Sequence, residues 1–376
     1  MREVDDTRSI CFHSPRATSL FDEGSPGGHG GAELVMYHLA CELSKRSDFD
    51  VHFLLDEIPA KRADDCQISL HPIEAAVARS EGPRVLFVLT NAVRAMRSFV
   101  RTRSRDYVLC GASVTLGYVT LLRQVLRRKR VLFILASDAD AEGGLLQGGG
   151  YERAMFQLGM RLADVVWCQN QYQQQQVRER FGRRAEILPN GLPIPPAPPE
   201  AEKDYVLWVS SCQELKQPHA YLDLAQQMAD ERFVMIMPPR KDKGLFAEVE
   251  ARAGELPNVE FINGVHYRDI QPYFDCAKVF VNTSTVEGYP NTFVQSMMGA
   301  TPILSLNVDP SAILSERGLG LCACGDTGVL AENLEALLAD PERRSEMGRR
   351  AFEYAREHHD IVRVAALFER TLRQIT

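Results

Sequence analysis

Short, continuous apolar runs recur along this chain, each followed by a longer stretch with helical spacing. The runs in the first half are residues 9–13, 51–55, 85–89, 107–110, 131–135 and 165–169. A strand covered on both faces reads as an unbroken apolar run, not as an alternating one. Helical patterns lie between them at 31–46, 115–128, 151–163 and 171–181. Strand and helix in alternation predict a parallel, doubly wound sheet. The rhythm then breaks. Six prolines (Pro189, Pro193, Pro195, Pro196, Pro198 and Pro199) fall within eleven residues. Proline fixes φ and donates no hydrogen bond, so this stretch forms neither helix nor central strand. Residues 191–204 are therefore expected to be a semi-rigid linker.

After the prolines the rhythm restarts. Strands are expected at 205–209, 233–237, 259–262, 279–282 and 302–306, and helices at 219–229, 246–255, 269–276, 292–298 and 330–338. Two more helices, 341–358 and 361–375, close the chain. The expected fold class is α/β, with one doubly wound domain over 1–190 and a second over 205–355. Ligands of such sheets bind outside the carboxyl ends of the strands.

Composition narrows the function. Hydrophobic residues make up 45% and charged residues 25% of 376 residues, enough for sizeable cores without cross-links. The formal net charge of -7 gives no electrostatic case for nucleic-acid binding. Nine dispersed cysteines fit reduced thiols in a cytosolic protein. Cys322 and Cys324 form a lone C-x-C, too sparse for a metal site. The first residues carry acids and no long apolar stretch, unlike a signal peptide, and no charge-free run is long enough for a bilayer. The expectation is a soluble cytoplasmic protein, at most peripheral to the inner face of the membrane. Between Arg94 and Arg130, ten Lys/Arg stand against one acid, Asp106. A solvated basic face accounts for this, and contact with an anionic membrane surface or a lipid phosphate is the sharper reading.

The segment VFVNTSTVEGYPNTFVQSMMGATPILS, 279–305, reads as strand, polar loop, short helix and second strand. Pro290 and Asn291 fall where the helix begins, so the amides of Asn291, Thr292 and Phe293 point out of its start. Such a terminus binds phosphate through free N–H groups and the helix dipole. Glu287 lies just before it, Gln295 one to two turns in, and Gly288 permits a tight turn. In YVLWVSSCQELKQPHAYLDLA, 205–225, Lys216 sits in the loop after an apolar strand, a point charge suited to a diphosphate. In SPGGHGGAELVMYHLACELSKR, 25–46, glycines 27, 28, 30 and 31 precede an amphipathic helix, but the spacing is not that of a dinucleotide loop. Asn190-Gly191 reads as a turn. Asp138-Ala139-Asp140 follows the strand at 131–135; two carboxylates alone are a sparse metal site. His13, His29 and His266 lie near loops at strand ends, and lone histidines are more often structural than functional.

EGYPNTFVQSMMGATPIL, from Glu287, resembles the signature of the GT-B glycosyltransferases of family 4. The resemblance implies two Rossmann-like domains facing a central cleft, with the closing helix, about 356–376, packing back on the first. It implies that Glu287 faces the donor sugar and that Asn291, Thr292 and Phe293 hold the diphosphate, with Gly288, Tyr289 and Pro290 completing the loop. Gln295 takes the ribose position, where the common pattern has an acid; an amide still accepts and donates hydrogen bonds. Lys216 matches a phosphate-binding lysine. Ser211 falls where the family has an arginine, and Arg240 is a candidate replacement. GGAE at 30–33 matches a cleft-lining loop, giving Gly30 and Gly31 a donor-side role. Ser137-Asp138 stands where a histidine is frequent, which gives Asp138 an acceptor-side role. The activity implied is a retaining glycosyltransferase using a nucleotide-diphospho-sugar donor and an unidentified acceptor (glycan, lipid-linked or small molecule), without metal or cofactor. Ser211, Gln295 and the absent histidine leave two alternatives. One is a non-catalytic sugar-nucleotide binder; the other is a different GT-B activity such as an epimerase or phosphorylase.

Overall fold

The computed structural model describes residues 7–22, 30–62, 66–74, 84–143, 149–240 and 242–375. The chain divides into two compact units, one of Met1–Leu192 with Ile361–Thr376 and one of Pro193–Asp360.

The first unit runs β1 (Arg8–His13), α1 (Thr18–Phe21), α2 (Gly31–Ser44), β2 (Phe49–Leu55), β3 (Ile68–Pro72), α3 (Arg84–Arg101), β4 (Asp106–Cys110), α4 (Val114–Val125), β5 (Arg130–Ile134), α5 (Asp138–Ala141), α6 (Gly150–Leu162), β6 (Val165–Cys168), α7 (Gln171–Phe181) and β7 (Glu186–Ile187). Its strands form one parallel sheet in the order β3-β2-β1-β4-β5-β6-β7. All five residues of β5 and all four of β6 are buried, as strands covered on both faces must be. The helices pack closely: a Cβ at Gly117 on α4 would overlap the carbonyl of Met155 on α6, and one at Gly159 would overlap Leu116.

The second unit runs β8 (Tyr205–Val209), α8 (Pro218–Gln227), β9 (Phe233–Ile236), α9 (Lys243–Gly254), β10 (Val259–Ile262), α10 (Gln271–Asp275), β11 (Ala277–Asn282), α11 (Asn291–Met298), β12 (Ile303–Ser305), α12 (Ile313–Arg317), β13 (Gly320–Cys322), α13 (Thr327–Ala339) and α14 (Pro341–His358). Its sheet is again parallel, ordered β10-β9-β8-β11-β12-β13. Trp208, Tyr221, Phe233 and Met235 anchor its core.

The last helix, α15 (Ile361–Gln374), belongs to the first unit. Phe368 stacks on Trp167, centroids 4.6 Å apart, and on Phe12. The Ile361 amide donates to the Leu192 carbonyl at 2.9 Å. At the far end of α15, Arg8 and Arg130 donate to the carbonyls of Leu372 and Ile375 at 3.1 and 2.9 Å. Both guanidinium groups also hold the fully buried Asp106, at 2.5 and 2.8 Å. A carboxylate removed from water needs such partners, so one buried acid fixes β1, β5 and the end of α15 together.

Three expectations require correction. The run at 85–89 is not a strand; it opens α3. A short apolar run carries no periodicity of its own, and the buried Ala92 and Phe99 further on set the helical repeat. The strands β3, β7 and β13, unforeseen, lie at the sheet edges, where their residues are less buried. Not all cysteines are free: Cys41 on α2 and Cys66 before β3 form a disulfide, Cα atoms 5.3 Å apart. Twenty-five residues separate the two, and only the packing of α2 beside β3 brings them together. Among the described residues, no helix is long and apolar enough to cross a membrane.

Closing a loop of this length restricts the unfolded chain by about 3 kcal/mol. Cys66→Ser is expected to lower the oxidised protein's unfolding free energy by about that amount, with the difference vanishing in reductant. Urea titrations with and without dithiothreitol measure it; equal wild-type stability in both would show that the cross-link contributes nothing.

Candidate functional site

In the second sheet the strand order reverses direction between β8 and β11. Crossover helices depart to opposite faces there, leaving a crevice at the carboxyl ends of the two strands. The loops after β8 and β11 flank that crevice, and hydrogen bonds join them. The Thr285 amide donates to the Leu215 carbonyl at 2.8 Å. The buried Thr283 hydroxyl donates to the Lys216 carbonyl at 2.6 Å and accepts from the Trp208 indole at 2.9 Å. One side chain thus satisfies a core tryptophan and fixes the backbone of Lys216.

Lys216 ends a single 3-10 turn, Glu214–Lys216, and the next residue, Gln217, is left-handed at φ 46. A non-glycine residue pays for that conformation; Pro218 then starts α8 with a φ suited to a first helical position. The turn aims the Lys216 ammonium across the crevice onto the Glu287 carboxylate, with which it pairs. Ser284 Oγ donates to the same Glu287 oxygen at 2.8 Å. Asn307, after β12, donates to the Ser284 carbonyl at 3.4 Å. The pair is mostly shielded, its side chains 14% and 20% exposed.

The other expected residues fall around this pair. Gly288, Tyr289 and Pro290 are buried. Tyr289 turns inward: its hydroxyl lies 2.7 Å from His359 Nε2, and burial drives its pKa well above the ordinary phenol value. Helix α11 starts at Asn291 behind Pro290. The Phe293 amide donates back to the Pro290 carbonyl at 3.0 Å, and its ring packs edge-on to Phe280. Asn291 and Thr292 are half-buried. The Gln295 side chain is half-buried without a hydrogen bond among the described residues, while its carbonyl accepts from Gln271 at 3.1 Å. Ser211 Oγ accepts from Gln213 at 2.6 Å. Arg240 is exposed in the loop after β9 and forms no ion pair or hydrogen bond with Lys216 or Glu287. His266, after β10, has a buried Nε2 with no partner among the described residues. Sequence reasoning passed over Thr283, Ser284 and Trp208; the polar pair directly after an apolar strand was the available signal.

In the first unit, Gly27, Gly28 and His29 lie outside the described residues. Gly30 is the N-cap of α2, and its amide donates to Glu33 at 2.9 Å while Arg16 pairs with the same carboxylate at 2.8 Å. The glycine-rich motif thus ends in one half of a capping box, the Glu33 carboxylate accepting from the N-cap amide, followed directly by Gly31. Asp138 Oδ1 accepts from Asn170 at 3.2 Å and from Gln173 at 3.0 Å. Asp140 is buried and accepts from the amides of Ala112, Ala136 and Ser137. Burial raises its pKa and these donors oppose the rise. His13 ends β1 beside Phe99, ring centroids 5.0 Å apart, and burial lowers its pKa to about 4.

This parallel-sheet pair is the GT-B fold of the glycosyltransferases. Sucrose-phosphate synthase from Thermosynechococcus elongatus shares it with a TM-score of 0.75 at 16% identity, over 98% of this chain and 99% of that one. An alpha,alpha-trehalose-phosphate synthase (UDP-forming) from Burkholderia vietnamiensis gives 0.71 at 13%, over 98% and 99%. WaaG, a glycosyltransferase involved in lipopolysaccharide biosynthesis, gives 0.67 at 13%, over 98% and 99%. At these identities the likeness is one of fold. No curated protein matches the chain in sequence. Within the second unit, residues 203–340 match the family described as Glycosyl transferases group 1, and that stretch contains both Lys216 and Glu287.

Thr283→Val keeps the shape but orphans the Trp208 indole and the Lys216 carbonyl. It is expected to destabilise the protein by about 2 kcal/mol, with Thr283→Ser milder, in urea unfolding. His13 makes a pH prediction. Its folded pKa lies below the unfolded one, so its contribution is full above about pH 6.5 and is lost as pH falls toward 4. His13→Gln should flatten that part of the stability–pH curve; an unchanged slope would assign the acid sensitivity elsewhere.

Proposed function

We propose that the chain is a retaining glycosyltransferase that moves a sugar from a nucleotide-diphospho-sugar to an acceptor hydroxyl. The observation that carries the reading is the Lys216–Glu287 pair, built at the switch point of the second sheet and held by Thr283 and Ser284. An entering diphosphate exchanges Glu287 for its own oxygens at Lys216, and the freed carboxylate binds sugar hydroxyls. The amides at the start of α11, at Asn291 and Thr292, add donors and the helix dipole. Gln295 offers its unused amide to the ribose. Ser211 and Arg240 border the phosphates, and Gly288 lets the backbone approach. Gly30 and Gly31 have a donor-side role and Asp138 an acceptor-side role.

In the transfer, the bond between the anomeric carbon and the phosphate oxygen breaks, and the diphosphate leaves with the electron pair. The acceptor oxygen forms its bond on the same face and passes its proton to the departing phosphate oxygen. Lys216 and the amides stabilise the charge that develops there, which is where fixed dipoles contribute most. Glu287 orients and does not attack. No cofactor enters this scheme.

The UDP-forming neighbour puts UDP first in a thermal-shift screen with GDP, ADP, dTDP and their sugar conjugates. At a hundred times its dissociation constant, the right nucleotide should stabilise the fold by about 2.7 kcal/mol. Lys216→Ala should abolish that shift, and Glu287→Gln should keep nucleotide binding but lose turnover. Folded protein that responds to no nucleotide would overturn the reading. Conversion of free donor without acceptor would replace transferase by epimerase, and a requirement for free phosphate would replace it by phosphorylase.

A further inference from the structure

The basic stretch between Arg94 and Arg130 does not form one continuous face. Arg130 is spent on the buried Asp106, Arg123 pairs with Asp164 and Arg101 with Glu74. Lys129 Nζ is held by backbone carbonyls, including that of Arg103 at 3.1 Å. What remains is sharply placed. Arg103 and Arg105 lie in the loop that enters β4, Arg127 and Arg128 in the loop that enters β5, and all four are exposed. Asp106 pairs in register with Arg130, and the Arg130 amide donates to the Arg105 carbonyl at 2.9 Å, so the two loops lie side by side. None of the four has a carboxylate partner among the described residues.

Apolar side chains stand beside these cations. Among the described residues twelve large hydrophobic side chains are exposed, and five of them sit on α3 and α4, the helices that run down to these two loops. Val100 lies in the last turn of α3, and Val125, 79% exposed, closes α4. Leu89 and Val93 continue the face of α3 at helical spacing, with the exposed Arg97 between them and Val100. Neither helix contains an acid, in a chain whose net charge is -7. Protruding valines and leucines interleaved with unpaired arginines suit a bilayer interface, where apolar tips enter the headgroup boundary and guanidinium groups meet lipid phosphates.

We infer that the edge of the first unit formed by the ends of α3 and α4 and the loops entering β4 and β5 docks on an anionic membrane surface. The inference is independent of the transferase reading. It also fixes an orientation. This edge is at the amino ends of β4 and β5, whereas Asp138 follows the carboxyl end of β5. A docked molecule therefore holds the carboxyl-end loops of this sheet away from the lipid.

The test is co-sedimentation with phosphatidylcholine vesicles, with and without phosphatidylglycerol. Wild type should bind only the anionic vesicles, less at high salt. Arg127→Glu with Arg128→Glu should weaken binding about tenfold or more, and Val125→Glu should weaken it without removing a cation. Val329→Glu, on the exposed face of α13 in the second unit, should bind as wild type. Unfolding midpoints matching wild type would show that the variants are folded. No binding to anionic vesicles, equal binding to neutral ones, or unchanged binding by the charge-reversed variant would overturn the inference.

Discussion

One threonine hydroxyl governs the geometry of the second unit's upper edge. Thr283 lies between a core tryptophan that must donate and a loop carbonyl that must accept, and it satisfies both. Because the group is buried, it has no water to fall back on. The loop after β8 therefore cannot drift from the loop after β11 without stranding polar atoms in the core. The positions of Lys216 and Glu287 follow from this interior requirement more than from their own attraction. The strained Gln217 is tolerated for the same reason: its neighbours on both sides are fixed, by Thr283 before it and by Pro218 after it.

The site is electrostatically quiet. A lysine and a glutamate facing each other largely cancel, and Ser284 shares the load. A ligand that brings negative charge without competing for Glu287 gains little from Lys216, while one that carries both phosphates and hydroxyls satisfies each partner separately. This makes the pair selective for a molecule with both functions, since a buried charge left alone on either side is costly.

Much of this was legible in the sequence. The parallel sheets followed from unbroken apolar runs, the strand at 259–262 and the helix at 341–358 fall on their observed bounds, and Lys216 and Glu287 stood out by their places after apolar strands. What was not legible depended on distance in space. The run at 85–89 was ambiguous because five apolar residues fit either periodicity. The Cys41–Cys66 pairing required knowing that α2 lies beside β3. Tyr289 was expected only to complete the donor loop, and it is the fold that shows its hydroxyl beside His359 Nε2. The basic stretch looked uniform, but three of its ten cations, Arg130, Arg123 and Arg101, pair with Asp106, Asp164 and Glu74, partners that spacing does not predict.

The last helix carries an implication for how the chain is made. Residues 193–360 are inserted between Leu192 and Ile361, two residues joined by a backbone hydrogen bond within the first unit. During synthesis the second unit emerges whole and can fold while its predecessor still lacks the helix that covers Trp167 and whose end gives carbonyl acceptors to Arg8 and Arg130. The first unit, although first to leave the ribosome, is the last to be finished. Until α15 arrives it carries an open apolar strip beside Trp167 and lacks the two carbonyls that Arg8 and Arg130 use besides Asp106, so the nascent chain is most exposed to chaperones and to misassembly while residues 193–360 are being made.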